Sequence, residues 1–409
     1  MDGPFRTRQF YEISIQSMVT KYLRPSVNVV RIAIVGTRGL PPNYGGYETF
    51  VDHFAKHMVE RGHDVIVACE GRPRKEKLEY YNGAKLVYFP TKPPRIYSLR
   101  KIYEGINDLY FYLKLARKCD IMYILSGLGT QAILAIRLLN PKIKIVTSWD
   151  GLEWQRSKHS KLERLLIKSF VKSSLRNSDL IIHDHPKLIE AFPEHDLEKA
   201  AVIEYGVSIP GKIPWETSTL EKIRGNIPDI SPGKYWMVVA RLQKDNNSHH
   251  IIRGFVDSNS ELPLIVVGDV WDAGYSKKLE SIRRLDSRDR IFMTGGIYDL
   301  PTLDMLRAHC TGIIHGHSSG GTNPSLLEAM ALGRYIIAHD NIFNRHVLNN
   351  DSDFFSNSKE LSKIIDRSES EVELREKIGQ ENLRRVREHY LWKKCFDKHD
   401  AEFSNIIGG

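Results

Sequence analysis

Short apolar runs alternate with stretches of helical periodicity along most of the chain. Apolar side chains recur at helical spacing over residues 50–59, and Gly62 closes that pattern. Runs of about four to eight apolar residues bounded by turn residues are typical of buried strands. The predicted strands are Val29–Gly36, Asp64–Cys69, Ile121–Leu125, Ile143–Thr147, Trp236–Leu242, Leu264–Asp269 and Ile291–Gly295. Strands that alternate with helices predict an α/β protein with doubly wound, mostly parallel sheets.

The alternation runs twice, which predicts two domains. A chain of 409 residues is long for one domain and comfortable for two. Residues 209–233 hold four prolines and interrupt the pattern, so we expect the first domain to end near residue 206. The predicted division is an N-terminal extension over 1–28, a first domain over 29–206, a second domain over 207–384 and a C-terminal helix over 385–409.

The residues from 315 to 333 follow a short apolar run and open a helix. Pro324 suits the first helical position, because its missing N–H would have no partner there. Asn323 is then the natural N-cap, and Gly333 a natural C-terminal stop. The glycines at 320 and 321 allow a ligand to approach the backbone closely, and the start of a helix favours an anion.

Glu328 lies one turn inside this helix, away from its apolar face. A carboxylate at this distance from an anion site suits a nucleoside diphosphate, because it can accept hydrogen bonds from ribose hydroxyls. An ordinary strand–loop–helix turn with a solvated glutamate is the alternative, and this stretch alone does not decide between the two.

A second glycine pair, Gly45 and Gly46, lies in the loop between the first predicted strand and the helix that follows it. Doubly wound folds place ligands in such loops, and the backbone N–H groups of the pair can face a phosphate. The loop lacks the G-x-G-x-x-G pattern, so a dinucleotide is disfavoured.

Residues 320–330, Gly-Gly-Thr-Asn-Pro-Ser-Leu-Leu-Glu-Ala-Met, resemble the donor-binding motif of glycosyltransferase family four, a large retaining family with the GT-B fold. The resemblance implies two Rossmann-like domains facing each other across a cleft, with a C-terminal helix that returns to the first domain. Glu328 matches the motif's second glutamate, which binds the nucleotide ribose. The first glutamate falls on Gly320 and is missing, so its sugar contacts do not carry over. The donor loop would comprise His317 and residues Gly320, Gly321, Thr322 and Asn323.

Residues 36–50, Gly-Thr-Arg-Gly-x-Pro-x-x-Tyr-Gly-Gly-x-Glu-Thr-Phe, resemble one branch of that family, the bacterial rhamnosyltransferase-like enzymes. Asp-Gly-x-Glu-Trp at 150–154 resembles the same branch, where the wider family commonly has a histidine. We expect Asp150, with Glu153, on the sugar side, where a carboxylate accepts a hydroxyl or stabilises oxocarbenium-like charge. An Asp-Gly turn after a strand is the alternative.

Arg241 ends a predicted strand and resembles the family's arginine that neutralises the donor diphosphate. The lysine that the family has five residues later is Asn246 here, and Lys244 replaces it only if the loop bends suitably. Tyr298 follows the strand that ends at Gly295, in the loop where the family holds the base.

The formal net charge of +9 points to an anionic partner, and no nucleic-acid-binding motif accompanies it. The four cysteines are far apart and no signal-peptide pattern begins the chain, which is consistent with the cytoplasm. No metal is expected: His183 and His185 point the same way on a strand, but no third ligand is evident.

Two segments suggest contact with a membrane surface. Residues 1–28 place apolar side chains at helical spacing among basic ones, which fits an interfacial helix or, alternatively, an extension packed on the domain. Residues 72–101 combine nine Lys and Arg with five aromatics, Tyr80, Tyr81, Tyr88, Phe89 and Tyr97.

The resemblance implies a retaining, metal-independent glycosyltransferase that uses a nucleotide-sugar co-substrate and no bound cofactor. The branch implies dTDP-β-L-rhamnose as donor and a saccharide on a polyprenyl diphosphate as acceptor, at the inner face of the plasma membrane. A UDP-hexose or UDP-N-acetylhexosamine donor is one alternative. The other is a degenerate scaffold that binds sugar nucleotides and lost catalysis with the first glutamate and the lysine.

Overall fold

The computed structural model describes residues 29–42, 45–94, 96–125, 133–149, 151, 160–190, 197–220, 227–349 and 352–408. The predicted interfacial helix within residues 1–28 lies outside the described residues, as do Asp150 and Glu153.

The first domain is built on an eight-stranded sheet in the order β3-β4-β2-β1-β5-β6-β7-β8. All neighbouring pairs are parallel except β3 and β4. Its strands are β1 Arg31–Val35, β2 Asp64–Cys69, β3 Tyr80–Tyr81, β4 Ala84–Tyr88, β5 Ile121–Leu125, β6 Lys144–Trp149, β7 Leu180–His183 and β8 Ala200–Val202. Its helices are α1 Gly46–Glu60, α2 Tyr97–Leu115, α3 Ile133–Leu139, α4 Lys161–Asn177 and α5 Pro186–Glu190.

The second domain has a fully parallel six-stranded sheet in the order β11-β10-β9-β12-β13-β14. Its strands are β9 Trp236–Val239, β10 Leu264–Val267, β11 Ile291–Gly295, β12 Gly312–His315, β13 Ile336–His339 and β14 Asp353–Phe355. The accompanying helices are α6 Thr217–Leu220, α7 Ser248–Val256, α8 Ala273–Arg283, α9 Leu300–His309, α10 Pro324–Ala331, α11 Ile342–Leu348, α12 Ser358–Ser370 and α13 Val372–His389.

The strand order reverses at one point in each sheet, between β1 and β5 in the first and between β9 and β12 in the second. Doubly wound folds bind ligands at the carboxyl ends of the strands at such a point. Gly36 shows how close the strands come there, since a Cβ would overlap the carbonyl of Leu125 at the end of β5. The topology therefore indicates one ligand crevice in each domain.

The last helix, α14 Trp392–Gly408, returns to the first domain. Phe396 and Phe403 join the core cluster that contains Phe54 of α1, and the rings of Phe54 and Phe396 meet edge to face at 5.8 Å. Burial of these aromatic rings holds α14 against the first domain.

The sequence predicted a C-terminal helix over residues 385–409, and the structure corrects its start to Trp392. The chain breaks between α13 and α14, where the Val207 N–H donates to the Tyr390 carbonyl at 2.7 Å. The N–H of Trp392 in turn donates to the Val207 carbonyl at 3.4 Å. This exchange directs the Tyr390 carbonyl and the Trp392 N–H to the segment that links the domains, so α13 ends at His389 and α14 begins at Trp392.

The aromatic residues of segment 72–101 do not form the continuous surface that the sequence suggested. Phe89 is buried in the core, with its ring edge to face with that of Tyr103 at 5.3 Å. The Tyr88 hydroxyl accepts the Leu78 N–H at 3.1 Å and is only partly exposed, whereas Tyr80 is exposed. The side chain of Tyr97 is outside the described structure. Directly after β4, the Phe89 N–H donates to the Cys69 carbonyl at 2.9 Å and the Phe89 side chain is buried, which the composition of the segment could not reveal.

Candidate active site

A cleft of about 940 Å³ lies between the two domains. Its walls come from residues at or just after the carboxyl ends of strands in both sheets, among them Leu125, Trp149 and Asp184 of the first domain and Ala240 and His315 of the second. A volume of this size is at the upper end of the range for small-molecule sites. The two crevices indicated by the topology therefore form one shared site.

The start of α10 has the geometry that its sequence predicts. Pro324 is the first helical residue, and the Asn323 side chain accepts the Ser325 N–H at 2.9 Å as an N-cap. Gly333 follows the helix with a φ of 64°, in the left-handed region that glycine tolerates. Gly321, Thr322 and Asn323 line the cleft just before the helix, so their backbone is placed where a helix N-terminus favours an anion.

Gly321 allows the two domains to approach each other. A Cβ on Gly321 would overlap the carboxylate of Asp184, which follows β7 in the first domain. The neighbouring Thr322 hydroxyl donates to the Asp184 carbonyl at 2.5 Å. Across the cleft, a Cβ on Gly46 would lie 3.5 Å from Pro324. These contacts require a small residue at Gly321. The sequence of the loop alone could not show this requirement, because it comes from the other domain.

Gly320 and Lys244, both predicted at the donor, do not line the cleft. Gly320 adopts a φ of 119°, so the backbone conformation of the loop accounts for this glycine. Lys244 begins a short 3-10 helix, Lys244–Asn246, and its side chain is exposed. That helical turn buries Asn246 and leaves Lys244 outside the cleft. The loop therefore does not bend so that Lys244 could take the place of the family's lysine.

Asn246 lines the cleft and holds the loop together. Its amide donates to the Arg241 carbonyl at 2.7 Å, and its Oδ1 lies 2.7 Å from Nδ1 of His317. Asn246 stands where the family has a lysine, and its side-chain amide forms both contacts. Asn246 therefore positions Arg241 and His317. Arg241 remains exposed in the cleft, and within the described chain its guanidinium has no hydrogen-bond or ion-pair partner. It is therefore available to an anionic ligand.

Glu328 faces the cleft and pairs with an arginine that the sequence reading missed. Its Oε2 lies 2.5 Å from Nη2 of Arg307 on α9, whose side chain is only 4% exposed. Burial raises the pKa of Glu328, and the positive charge of Arg307 opposes that rise. The pairing fixes the carboxylate at the mouth of the cleft while its remaining lone pairs can still accept hydrogen bonds. No spacing in the sequence connects Arg307 to Glu328.

His315 is a second residue that the sequence reading did not assign. It ends β12, is buried at the wall of the cleft, and its Nε2 has no hydrogen-bond partner in the described structure. Burial lowers the pKa of His315 to about 4, so the ring is neutral at physiological pH. A neutral imidazole with an unpaired nitrogen can donate to or accept from a bound ligand.

Tyr298 lies in the cleft, as predicted, and its hydroxyl donates to the Asp269 carboxylate. The other oxygen of Asp269 accepts the Gly296 N–H at 2.8 Å. Ile297 and Leu303 add apolar surface beside the ring. The arrangement combines an aromatic face with apolar side chains, which suits a flat ring such as a nucleotide base.

The first-domain glycine pair has a geometry that the sequence did not anticipate. Both glycines line the cleft, but the carboxylate of Glu48 folds back against Gly45, where a Cβ would overlap it. Glu48 also accepts the Arg38 N–H at 3.1 Å. A carboxylate at the start of α1 weighs against a phosphate at Gly45. Arg38 itself lines the cleft and is exposed, so it supplies positive charge on this side.

A polar wall of the first domain lines the same cleft as the donor loop. It consists of Glu70 after β2 and of Glu104, Asn107 and Asp108 on α2. Asn107 and Asp108 are more than nine-tenths buried, and the Asn107 Oδ1 has no hydrogen-bond partner among the described residues. Burial raises the pKa of Asp108 to about 7. Buried, incompletely paired polar groups usually require a function, because they lose solvation on folding.

Trp149 and Gly151, the chain neighbours of position 150, both line the cleft. Asp150 and Glu153 lie outside the described residues, so their predicted role on the sugar side stays a prediction. His183 and His185 are buried. Within the described part of the chain, no three His, Cys, Asp or Glu side chains are grouped so as to hold a metal ion.

Two parallel-sheet, Rossmann-like domains that face each other across a cleft, joined by a returning C-terminal helix, have the GT-B architecture. Residues 221–385 match the family model described as "Glycosyl transferases group 1", and residues 29–208 match the one described as "Domain of unknown function (DUF1972)". The protein is a glycosyltransferase with a GT-B-like fold.

Proteins with similar sequences and structures agree with this class. The chain is 22% identical over 400 residues to the uncharacterized glycosyltransferase MJ1069 of Methanocaldococcus jannaschii, covering 90% of this chain and 96% of that one. Sucrose-phosphate synthase from Thermosynechococcus elongatus has the same fold, with a TM-score of 0.77 at 14% identity, covering 93% and 99% of the chains. Anabaena Alr3699/HepE in complex with UDP and glucose gives 0.72 at 17% identity, covering 92% and 100%.

Proposed function

We propose that the protein is a retaining, metal-independent transferase that moves L-rhamnose from dTDP-β-L-rhamnose onto a lipid-linked saccharide. The observation that carries the proposal is the convergence of Arg241, the N-terminus of α10 and Glu328 in one cleft. Positive charge and N–H groups suit a diphosphate, and a carboxylate beyond them suits a ribose. That HepE was solved with UDP and glucose supports a sugar nucleotide as the ligand of this fold.

In the proposed reaction, the bond between the anomeric carbon and the donor phosphate oxygen breaks, and a bond to the acceptor oxygen forms on the same face. The departing phosphate oxygen takes the proton of the acceptor hydroxyl, so no protein nucleophile is needed. Arg241 and the N–H groups of Gly321 and Thr322 stabilise the negative charge that develops on the leaving diphosphate. Asp150 is proposed to stabilise positive charge on the sugar.

The polar wall of Glu70, Glu104, Asn107 and Asp108 is proposed to bind the acceptor saccharide. Carboxylate and amide oxygens accept hydrogen bonds from sugar hydroxyls, and this wall lines the first-domain part of the cleft that the donor loop also lines. The acceptor proposal includes a polyprenyl diphosphate carrier and peripheral contact with the inner face of the plasma membrane.

A UDP-sugar donor is the second candidate, because HepE was also solved with UDP-glucose. A thermal-shift panel of dTDP, dTDP-β-L-rhamnose, UDP, UDP-glucose and UDP-N-acetylglucosamine separates the candidates. We expect the two dTDP compounds to raise the melting temperature most, because a ligand that binds only the folded state stabilises it. A larger shift with a UDP-sugar would keep the transferase and discard the rhamnose donor. A shift that is not accompanied by release of nucleotide would favour the scaffold, and no shift with any compound would contradict both donor candidates.

Substitution of Glu328 by glutamine is expected to weaken donor binding. Loss of a charged acceptor for ribose hydroxyls is worth about 1–2 kcal/mol, which corresponds to a roughly 5- to 30-fold higher Kd for the nucleotide. Calorimetric titration measures the change, and Glu376→Gln, an exposed glutamate on α13 outside the cleft, is the matched control. A normal Kd in the Glu328 variant would refute the ribose assignment.

A further inference from the structure

Helix α2 exposes a continuous apolar stripe to solvent. Its exposed side chains are spaced three or four residues apart, so they share one side of the helix over about 21 Å. They are Leu99, Ile102, Ile106, Leu109 and Leu113. The other side of α2 already contributes Tyr103, Phe111 and Tyr112 to the core of the first domain. The stripe is therefore additional to the core face of the helix.

The apolar surface continues onto the two neighbouring helices. Leu134 and Leu138 of α3 and Leu162, Leu165 and Leu166 of α4 are also exposed. Helix α2 packs against α3, and α3 packs against α4, so the three helices lie side by side. Individual exposures run from 44% at Leu109 to 85% at Leu138. A soluble monomer rarely leaves ten large aliphatic side chains exposed on three neighbouring helices, because each gains free energy when it leaves water.

Basic side chains border this apolar surface. Helix α4 has the sequence KLERLLIKSFVKSSLRN, with five basic residues and one acidic residue. Lys168 and Lys172 on that helix are exposed, and Arg117 and Lys118 are exposed directly after α2. Aliphatic side chains reach the acyl region of a bilayer from such a surface, while Lys and Arg extend to the phosphate groups. Positive charge at the border complements anionic phospholipids.

The same helix α2 connects this surface to the cleft. Glu104, Asn107 and Asp108 of α2 line the cleft. In sequence they lie between the residues that form the stripe. A saccharide bound at these residues would lie one helix width from the apolar surface. An acceptor whose lipid tail stays in the bilayer therefore needs to pass only around α2 to reach the site.

We propose that the exposed faces of α2, α3 and α4 form a membrane-docking surface for an anionic phospholipid bilayer. Docking on this surface brings the acceptor side of the cleft next to the bilayer. Only the link to a lipid-linked acceptor rests on the proposed function; the docking itself rests on the apolar surface and its basic border.

Vesicle flotation with the full-length protein tests the proposal. The variant combines Ile102→Gln, Ile106→Gln and Leu138→Gln, three exposed positions whose replacement leaves the core unchanged. The matched control replaces three exposed aliphatic residues of the second domain, Leu285→Gln, Val372→Gln and Leu374→Gln. We expect wild type and control to bind vesicles that contain phosphatidylglycerol, and the docking variant to bind roughly tenfold or more weakly.

Charge provides an independent arm of the experiment. Lys168→Glu combined with Lys172→Glu is expected to weaken binding to phosphatidylglycerol vesicles, and high salt is expected to weaken the binding of wild type. Undiminished flotation of the docking variant, or failure of wild type to float, would overturn the proposal. The proposal would also be overturned if light scattering showed that the wild type is a dimer and the docking variant a monomer, while the wild type did not bind vesicles.

Donor hydrolysis in solution, without vesicles, separates this proposal from the proposed function. We expect the docking variant to release nucleotide from the donor at the wild-type rate, because none of its three positions lines the cleft. Normal vesicle binding by a wild type that hydrolyses no sugar nucleotide would leave the docking surface intact and contradict the enzymatic proposal alone.

Discussion

Replacement of Arg241 by alanine is expected to lower kcat/KM for the sugar-nucleotide donor roughly 30- to 900-fold. Removal of one preorganised charged donor from a developing negative charge costs about 2–4 kcal/mol of transition-state stabilisation. Arg241 lines the cleft, and its guanidinium makes no ion pair or hydrogen bond with any described residue. Its full charge is thus available to the leaving diphosphate.

Lys244→Ala is the matched control for this prediction. Lys244 is three residues further along the chain and also carries one positive charge, but it does not line the cleft. We expect its removal to change kcat/KM by less than about threefold, because exposed charges outside a site are screened by salt. Unchanged kinetics in Arg241→Ala, or an equal fall in both variants, would contradict the role of Arg241.

Replacement of Asp108 by asparagine is expected to stabilise the protein above pH 7. Burial, with added repulsion from Glu104 and Glu70, raises the pKa of Asp108 from 3.8 to about 7, despite a hydrogen bond from Asn107. The folded state therefore binds a proton that the unfolded state releases. The contribution of Asp108 to the stability of the fold is therefore highest below pH 4 and falls as the pH rises towards 7.

The expected gain from Asp108→Asn accordingly grows between pH 4 and 7 and is constant above pH 8. One pKa unit corresponds to about 1.4 kcal/mol, so the gain reaches at most about 4 kcal/mol. Denaturant unfolding at several pH values measures it. Asp120→Asn is expected to lower the free energy of unfolding instead, because the Arg31 guanidinium lowers the pKa of Asp120 and stabilises its charged form. A pH-independent difference between wild type and Asp108→Asn would contradict the assignment.

If the buried carboxyl is retained for binding, the same variant should raise KM for the saccharide acceptor while donor hydrolysis stays near the wild-type rate. A stabilising substitution that reduces function is a common consequence of a polar group placed for a ligand. Equal acceptor kinetics in both proteins would remove Asp108 from the acceptor side.

The parts of the fold that depend on local pattern could be predicted from the sequence. Strand β2 runs from Asp64 to Cys69, with the bounds that its short apolar run predicted. The start of α10 followed from the Asn323 N-cap and Pro324, since both preferences are determined within one turn of chain. The break before Trp392 was missed because its cause, the pairing with Val207, is distant in sequence.

The candidate site could be predicted only where one segment contains its residues. Arg307 reaches Glu328 from a different helix, and His315 becomes distinctive only through its burial. Glu104, Asn107 and Asp108 of α2 become distinctive only through their place in the cleft. The exposed apolar stripe on α2 could not be distinguished from a core face by sequence, because only packing shows which side of a helix the sheet covers.

The proposed function requires that the protein cleaves a sugar nucleotide in this cleft. Its most direct test is the release of nucleoside diphosphate from dTDP-β-L-rhamnose and from UDP-glucose, at equal concentrations and without acceptor. We predict slow release of dTDP that Arg241→Ala suppresses and Lys244→Ala does not. Failure to release nucleotide from either donor, together with unchanged melting temperatures in their presence, would contradict the account.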